Sequence, residues 1–191
     1  MLSTDYFRKM ITETDYKYHE CGGTRLYLLE DYLNDNQCKS LIYALKNTSY
    51  SQGVVKMPEL AQEVWEYIGP KISEQVFFDS KRNYHFRIVN ILDYITVTNN
   101  DKPTPIHRDM PLDHSVPYKL VFHLNKISGG GGTIFYDDNK NYDDDERSLI
   151  IKNNPGSGVL FDLSLFHKGQ DFTAGQTKVV IGARPIINIF K

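Results

Sequence analysis

The spacing of apolar residues changes once along the chain, near residue 84. Ahead of that point two stretches repeat at helical spacing. In "DNQCKSLIYALKN" Cys38, Leu41, Ile42 and Leu45 share a face, and Asn34 with Gln37 three residues on has the spacing of a capping box. In "MPELAQEVWEYIGPKISEQV" Leu60, Val64, Trp65 and Ile68 recur in the same way. Gly69-Pro70 is expected to interrupt this second helix, because proline lacks the amide that the helix ladder needs. Both stripes are ordinary core faces and carry no function. "RLYLLEDYL" (25–33) reads as a strand running into a turn, while residues 1–24 show no sustained period and read as an arm or a short helix.

From residue 84 the period shortens. "YHFRIVNILDYITV" (84–97), "YKLVFHLN" (118–125), "GTIFYDD" (132–138), "SLIIK" (148–152), "GVLFDLS" (158–164) and "KVVIGARPIINIF" (178–190) read as strands. Turn-rich segments separate them: TNNDKP, SGGGG, NKNYDDD, NNPGSG and TAGQ. Two helices followed by a run of strands with no helix between them predict an α+β, mainly β protein, an antiparallel sandwich or jelly roll covered by N-terminal helices. The expected organisation is an arm at 1–24 and one domain at 25–191, with helical support at 34–80 and a jelly-roll core at 84–190. The charge-rich "YDDNKNYDDDER" lies between two strands and reads as solvated surface.

Composition narrows the class. At 191 residues, 40% hydrophobic and 24% charged, the chain is globular and of one-domain size. A net charge of −2 gives no general pull toward nucleic acid or anionic lipid. Cys21 and Cys38, the only cysteines, are too few for a disulfide framework and fit a reducing compartment. "MLSTDYFRKMITETDYKYHE" lacks a signal-peptide apolar core, and no apolar run is long enough to span a membrane. A soluble, intracellular protein is expected.

Candidate chemistry concentrates in "PTPIHRDMPLDHS" (103–115), which packs His107, Asp109, Asp113 and His114 close together. Three readings are open: an H-x-D pair from His107 and Asp109, a pair from Asp113 and His114, or a solvated acidic loop. In an extended chain residues 107 and 109 point to the same side, whereas the adjacent 113 and 114 diverge. A jelly roll has an open mouth that can hold a metal, and a 2-His-1-carboxylate triad suits non-haem Fe(II) oxygen chemistry. "LFDLSLFHKG" supplies a third ligand of the right kind: His167 ends an apolar strand just before Gly169, sixty residues after His107. His19 and His85 have no partner at ligand spacing. His123 alternates with Val121 and Asn125 on one strand face, where a packed or supporting role is the better reading.

An anionic co-substrate would need a cation inside the barrel. Lys178, eleven residues after His167, begins the last strand, and Arg184 lies on the same side of it as Val180 and Gly182. The two are about 20 Å apart at the usual strand rise and cannot serve one carboxylate from equivalent depth. Lys178 is nearer to His167 in sequence and is the choice. For each, a solvated strand-end charge is the competing reading.

These residues resemble the prolyl 4-hydroxylase-like branch of the Fe(II)- and 2-oxoglutarate-dependent dioxygenases, whose core is a double-stranded β-helix, a distorted jelly roll. The similarity runs over nearly the whole chain from residue 25. "LYLLEDYLNDNQCKSLIYALKN" is similar to the family's opening strand and helix, and "HRD" stands at its H-x-D. "YKLVFHLNKISGGGGTIFYDD" looks like its strand ending in Leu-Asn with the glycine-rich turn that follows. "PGSGVLFDLSLFHKGQDFTAGQTK" is similar to the segment from the Pro-x-x-Gly turn through the distal histidine to the co-substrate lysine. The resemblance implies that His107, Asp109 and His167 hold the iron and form the catalytic centre, and that Lys178 pairs with the far carboxylate of 2-oxoglutarate. Tyr94 resembles a tyrosine that contacts the co-substrate in relatives, at a longer spacing from the H-x-D. A hydroxyl, from Thr133 or Tyr94, would assist the lysine. That lysine stands one position further from the distal histidine than in close relatives, which keeps Arg184 as the alternative anchor. Asp113 and His114 then belong to the loop at the entrance.

The implied activity is hydroxylation of a C–H bond with Fe(II), 2-oxoglutarate and O2, supported by ascorbate, with release of succinate and CO2. Iron and co-substrate carry the hard chemistry, and the protein supplies ligation and orientation. His107 and His167 ligate only when unprotonated, so acid opposes activity. A prolyl residue in a protein or peptide is the expected target, and a free amino acid or other small molecule is the alternative. Oxidative demethylation of a nucleic-acid base is disfavoured by the near-neutral charge and the lack of a basic, aromatic-lined stripe; no membrane partner is expected. A non-catalytic, cupin-like metal-binding barrel fits the strands and histidines but gives no reason for Lys178. Substrate choice is expected in loops 47–57, 98–106 and 110–117 over the barrel mouth.

Overall fold

The computed structural model of the chain describes residues 17–48, 52–109, 116–137 and 148–190. The Asn34 side chain accepts from the amides of Asn36 and Gln37, and Gln37 Oε1 accepts the Asn34 amide at 2.9 Å. This reciprocal cap starts helix α1 (Asp35–Lys46). Helix α2 (Pro58–Ile72) starts at a proline, where a missing amide costs no helical bond. It does not break at Gly69-Pro70, against the expectation from sequence, and runs on to Ile72. Pro70 sits in the last turn, and Glu66, whose carbonyl loses that one partner, is exposed, so water can replace the missing amide.

The strands form two antiparallel sheets. Across the larger run β1 (Tyr18–Cys21), β2 (Thr24–Leu29), β9 (Gly158–Asp162), β6 (Tyr118–His123), β11 (Lys178–Phe190), β5 (Tyr84–Asn100) and β3 (Gln52–Lys56), with β4 (Phe77–Asp79) also paired to β5. The smaller holds β10 (Phe166–Gly169), β7 (Thr133–Tyr136) and β8 (Ser148–Ile151). Alternation sorts the central strands into two faces. Leu120 and Phe122 of β6, Val179 and Ile181 of β11 and Ile95 and Val97 of β5 share one core with Leu41 and Leu45 of α1 and Val64 and Ile68 of α2. Val121, Val159, Phe161 and Val180 turn the other way and meet Phe135 and Leu165 in a second core between the sheets. The result is the mainly β jelly roll with helical cover that the hydrophobic pattern predicts.

The pattern misses β1, β3, β4 and β10. β1 falls within the expected arm and β3 within the expected mouth loop 47–57; both lie at the ends of the larger sheet, where one-sided pairing weakens alternation. β5 continues to Asn100 and so absorbs the start of the expected 98–106 loop. After β9 the chain reverses: Asp162 Oδ1 accepts the Ser164 amide at 2.8 Å and the Asp162 carbonyl accepts the Leu165 amide at 3.1 Å. His167 therefore does not end the 158–164 strand but belongs to β10, on the opposite sheet. Residues 1–16 of the arm, Asp113 and His114, and 138–147 of the acidic run lie outside the described residues. Among the described residues no helix is long and apolar enough to cross a membrane.

One polar clamp steadies the turn that leads into β10. Arg82 Nη1 donates to Asp79 Oδ2 at 2.8 Å and to Asp162 Oδ2 at 2.6 Å, and the Tyr118 hydroxyl donates to Asp79. Burial pushes the Asp79 carboxyl up, but the hydrogen bonds from Tyr118 and Arg82 outweigh it and hold the group below its ordinary value. Its contribution to stability is therefore present above the ordinary carboxylate range and is lost as the pH falls through the depressed value. Arg82→Ala leaves two buried carboxylates facing each other and is expected to lower the unfolding free energy by about 3 kcal/mol, read as the shift in urea midpoint.

Candidate metal centre

The two histidines of the triad are placed by backbone. Residues 104–107 run antiparallel to β10: the Gly169 amide donates to the Thr104 carbonyl at 2.9 Å, and His107 and His167 exchange both backbone hydrogen bonds at 2.9 Å. That exchange sets the two residues directly opposite one another, with ring centroids 4.3 Å apart. His107 Nδ1 lies 2.8 Å from the Pro105 carbonyl, and His167 Nδ1 lies 3.1 Å from the Leu165 carbonyl. A carbonyl only accepts, so both rings carry their proton on Nδ1 and keep Nε2 as a lone-pair donor.

Asp109, two residues beyond His107, brings Oδ2 to 3.5 Å from His167 Nε2. Donor atoms of His107, Asp109 and His167 all lie within 4.8 Å of one another. Two oriented imidazoles and one carboxylate form a donor set that fits Fe(II) and related divalent ions. His167 packs between Phe135 and Phe161, with centroids at 5.5 and 5.0 Å. Burial lowers its pKa to about 4, so the ring is neutral and able to ligate at neutral pH. Burial pushes the Asp109 carboxyl up, and the cationic groups around it, Lys119 first, more than reverse this and hold it below its usual range.

The cluster opens into a cavity of about 190 Å³ between the sheets, walled in part by Thr96, Thr98, Thr133 and Val180. Lys178 lines the same cavity, and its Nζ donates to the Gly132 carbonyl at 2.8 Å. Burial lowers this lysine to about 8. The turn that carries Gly132 needs glycine: at Gly130 (φ +135°) a Cβ would stand 2.0 Å from the Asp171 carbonyl oxygen. Thr133 Oγ1 lies 3.4 Å from Nε2 of the buried His123, outside the ligand cluster. Arg184 is buried, and its charge acts on Asp109. Tyr94 is 39% exposed and is not among the residues that line the cavity.

Lys119 is the site residue that sequence reasoning misses. Its Nζ lies 2.9 Å from both oxygens of Asp109, and the side chain is buried. A signal was present: a lysine inside the apolar "YKLVFHLN", with the same parity as Val121 and His123, must either face the cavity or break the core pattern.

No protein-family model and no curated protein sequence matches the chain. Solved structures do match its fold. The non-heme alpha-ketoglutarate-dependent carbocyclase SnoK from nogalamycin biosynthesis has a TM-score of 0.55 at 14% identity, over 96% of this chain and 84% of that one. A prolyl hydroxylase from Trichoplax adhaerens, in complex with a peptide fragment of the hypoxia-inducible factor oxygen degradation domain, has a TM-score of 0.56 at 12% identity, over 97% and 94%. HygX from Streptomyces hygroscopicus, with nickel and 2-oxoglutarate bound, has a TM-score of 0.51 at 11% identity, over 96% and 87%. At such identities the likeness is one of fold alone, and the fold shared with these structures is the jelly roll described above.

Burial, and after it the charge of Lys178, lower the pKa of His123 from 6.5 to about 3. The unfolded chain therefore binds more protons than the folded one below the ordinary histidine value, and stability falls as the pH drops from there toward the folded value. His167 acts in the same direction. The metal-free protein is expected to lose stability between about pH 7 and about pH 5, and His123→Gln to lose less; urea midpoints at the two pH values measure this.

Proposed function

We propose that the protein is an Fe(II)- and 2-oxoglutarate-dependent oxygenase that hydroxylates a C–H bond, with a prolyl residue of a protein or peptide as its target. The observation that carries this reading is the cluster of His107, Asp109 and His167 opening into the cavity that Lys178 also lines. His107 and His167 would ligate the iron through Nε2 and Asp109 through a carboxylate oxygen. With 2-oxoglutarate bound, the iron supplies O2 activation coupled to decarboxylation of the co-substrate, which yields succinate, CO2 and a hydroxylated product.

The protein's own part is orientation and charge. Lys178 is buried, and among the described residues it has a carbonyl partner but no carboxylate. A buried ammonium of this kind calls for an anion, which the far carboxylate of 2-oxoglutarate provides. Arg184 is not among the residues that line the cavity, which favours Lys178 as the anchor. Thr133 lines the cavity, and its hydroxyl would assist the lysine there; nothing supports that role for the exposed Tyr94. Ascorbate fits as the reductant that keeps the iron ferrous.

A cavity of about 190 Å³ is smaller than the roughly 300–1,000 Å³ of pockets that enclose a whole drug-sized ligand. That favours a target presented by a larger molecule, such as a prolyl ring on a peptide, and the peptide-bound fold neighbour accords with it. The second reading, a small molecule, draws on the equal fold likeness of SnoK, an enzyme of nogalamycin biosynthesis.

The test is succinate formation by purified protein with Fe(II), ascorbate and 2-oxoglutarate, alone and with proline-rich peptides or free amino acids. Stimulation by a peptide supports the first reading and stimulation by a free amino acid the second. His107→Ala and Asp109→Ala are expected to lose more than the about 10- to 100-fold that an outer-shell partner costs; turnover unchanged by both would sink the assignment. Lys178→Met should raise the KM for 2-oxoglutarate by about 10- to 100-fold, as loss of a hydrogen bond to a charged group does.

A further inference from the structure

Lys119 stands where a sheet ordinarily places an apolar residue. Its neighbours Tyr118, Leu120, Val121 and Phe122 are all buried, and so is it. Burying an ammonium is costly unless it is paired, and the sheet is shaped to let this one reach its partner. Gly182 lies beside it on β11, where a Cβ would stand 3.0 Å from Lys119 Cε and 3.1 Å from Thr96 Cβ. A side chain at 182 would press on the lysine stem on its way to Asp109.

Lys119 contacts the two oxygens of Asp109 equally, and they differ in their distance from the histidines. Oδ2 faces the histidines, 3.5 Å from His167 Nε2, and Lys119 Nζ lies 2.9 Å from each oxygen. A carboxylate can bind a cation through one oxygen or through both. When Oδ2 turns to a metal beside the histidines, an ammonium that keeps its bond to Oδ1 leaves Oδ2 alone to ligate. We propose that Lys119 is a positioning residue that confines Asp109 to one-oxygen ligation and so keeps a metal coordination position open for the co-substrate. The proposal rests on the oxygenase reading of the site. It assigns a task to a side chain whose polar contact is with the Asp109 carboxylate.

Co(II), a redox-stable stand-in for Fe(II), gives readouts that do not depend on turnover. Calorimetry measures Co(II) binding to the protein and 2-oxoglutarate binding to the Co(II) form, and visible absorption reports the coordination of the ion. Lys119→Met should still bind Co(II), while the Co(II) form binds 2-oxoglutarate about 10-fold or more weakly, the scale typical of lost outer-shell partners, and shows an altered Co(II) spectrum. Gly182→Ala keeps both charges and presses on the lysine stem as well as on Thr96, so its readout is the Co(II) spectrum, which should change in the same direction. That spectrum decides the matter if Lys119→Met does not fold. Weaker 2-oxoglutarate binding in Lys119→Met with an unchanged spectrum, and with Gly182→Ala like wild type, would mean that only the charge matters and would overturn the proposal. So would wild-type affinity in Lys119→Met with a wild-type spectrum in both variants. Wild-type protein that binds no Co(II) would overturn the oxygenase reading as well, a result distinct from either of these.

Discussion

The site depends on one backbone feature, the two-way hydrogen-bonded bridge between His107 and His167. Sixty residues separate the two in sequence, yet paired amides and carbonyls hold them opposite one another. Side-chain rotamers then need only local help, which each ring gets from the carbonyl two residues back. Register is critical because a slip of one residue would turn His167 to the other face. β10 is pinned on its second side as well, with His167 opposite Phe135 of β7. The glycine turn ahead of β7 and the Asp162 turn ahead of β10 thus set the geometry of the site from outside it.

Charge is distributed along the inner face as deliberately as apolar bulk. Val121 and Val180 fill the middle of the space between the sheets, while Lys119 and Lys178 occupy inner-face positions further along the same two strands. One lysine meets the carboxylate of the ligand cluster and the other meets a peptide carbonyl. The first pair is neutral as it stands. The second retains a net positive charge in a partly enclosed space, the kind of place where an anion gains most. Two cations of the same type therefore have different roles, set by whether a carboxylate lies within reach.

Much of this was legible in the sequence because sheets obey a period of two. Once β6 and β11 are recognised as strands, parity alone places Lys178, Val180 and Gly182 on one face, and the H-x-D spacing puts His107 and Asp109 on one side of their segment. The capping box at Asn34 was equally plain, since its signal is local. What escaped depends on distant partners. β3 and β1 are short strands at the ends of the larger sheet, and β10 is short enough that its pairing with β7 and with residue 107 defines it better than its own pattern does. Pro70 stays in a helix because its position in the last turn, unreadable without the true helix end, makes the lost bond cheap. Lys119 could be noticed as a charge in an apolar strand, but its partner could not be named until β6 and the H-x-D segment were seen side by side.

The Lys119–Asp109 pair also bears on how such a site can exist before it is filled. A carboxylate held largely away from water, as Asp109 is, is expensive to keep charged. The histidines do not meet that cost, because His167 is held neutral by its surroundings. Lys119 does, giving the ionised Asp109 a partner within the protein. The same contact becomes a constraint when a divalent ion arrives, since the ion must share Asp109 with an ammonium already in place. Stability of the fold and shape of a metal centre at this site would thereby be coupled through one lysine. Gly182, by leaving room for that lysine's stem, takes part in both.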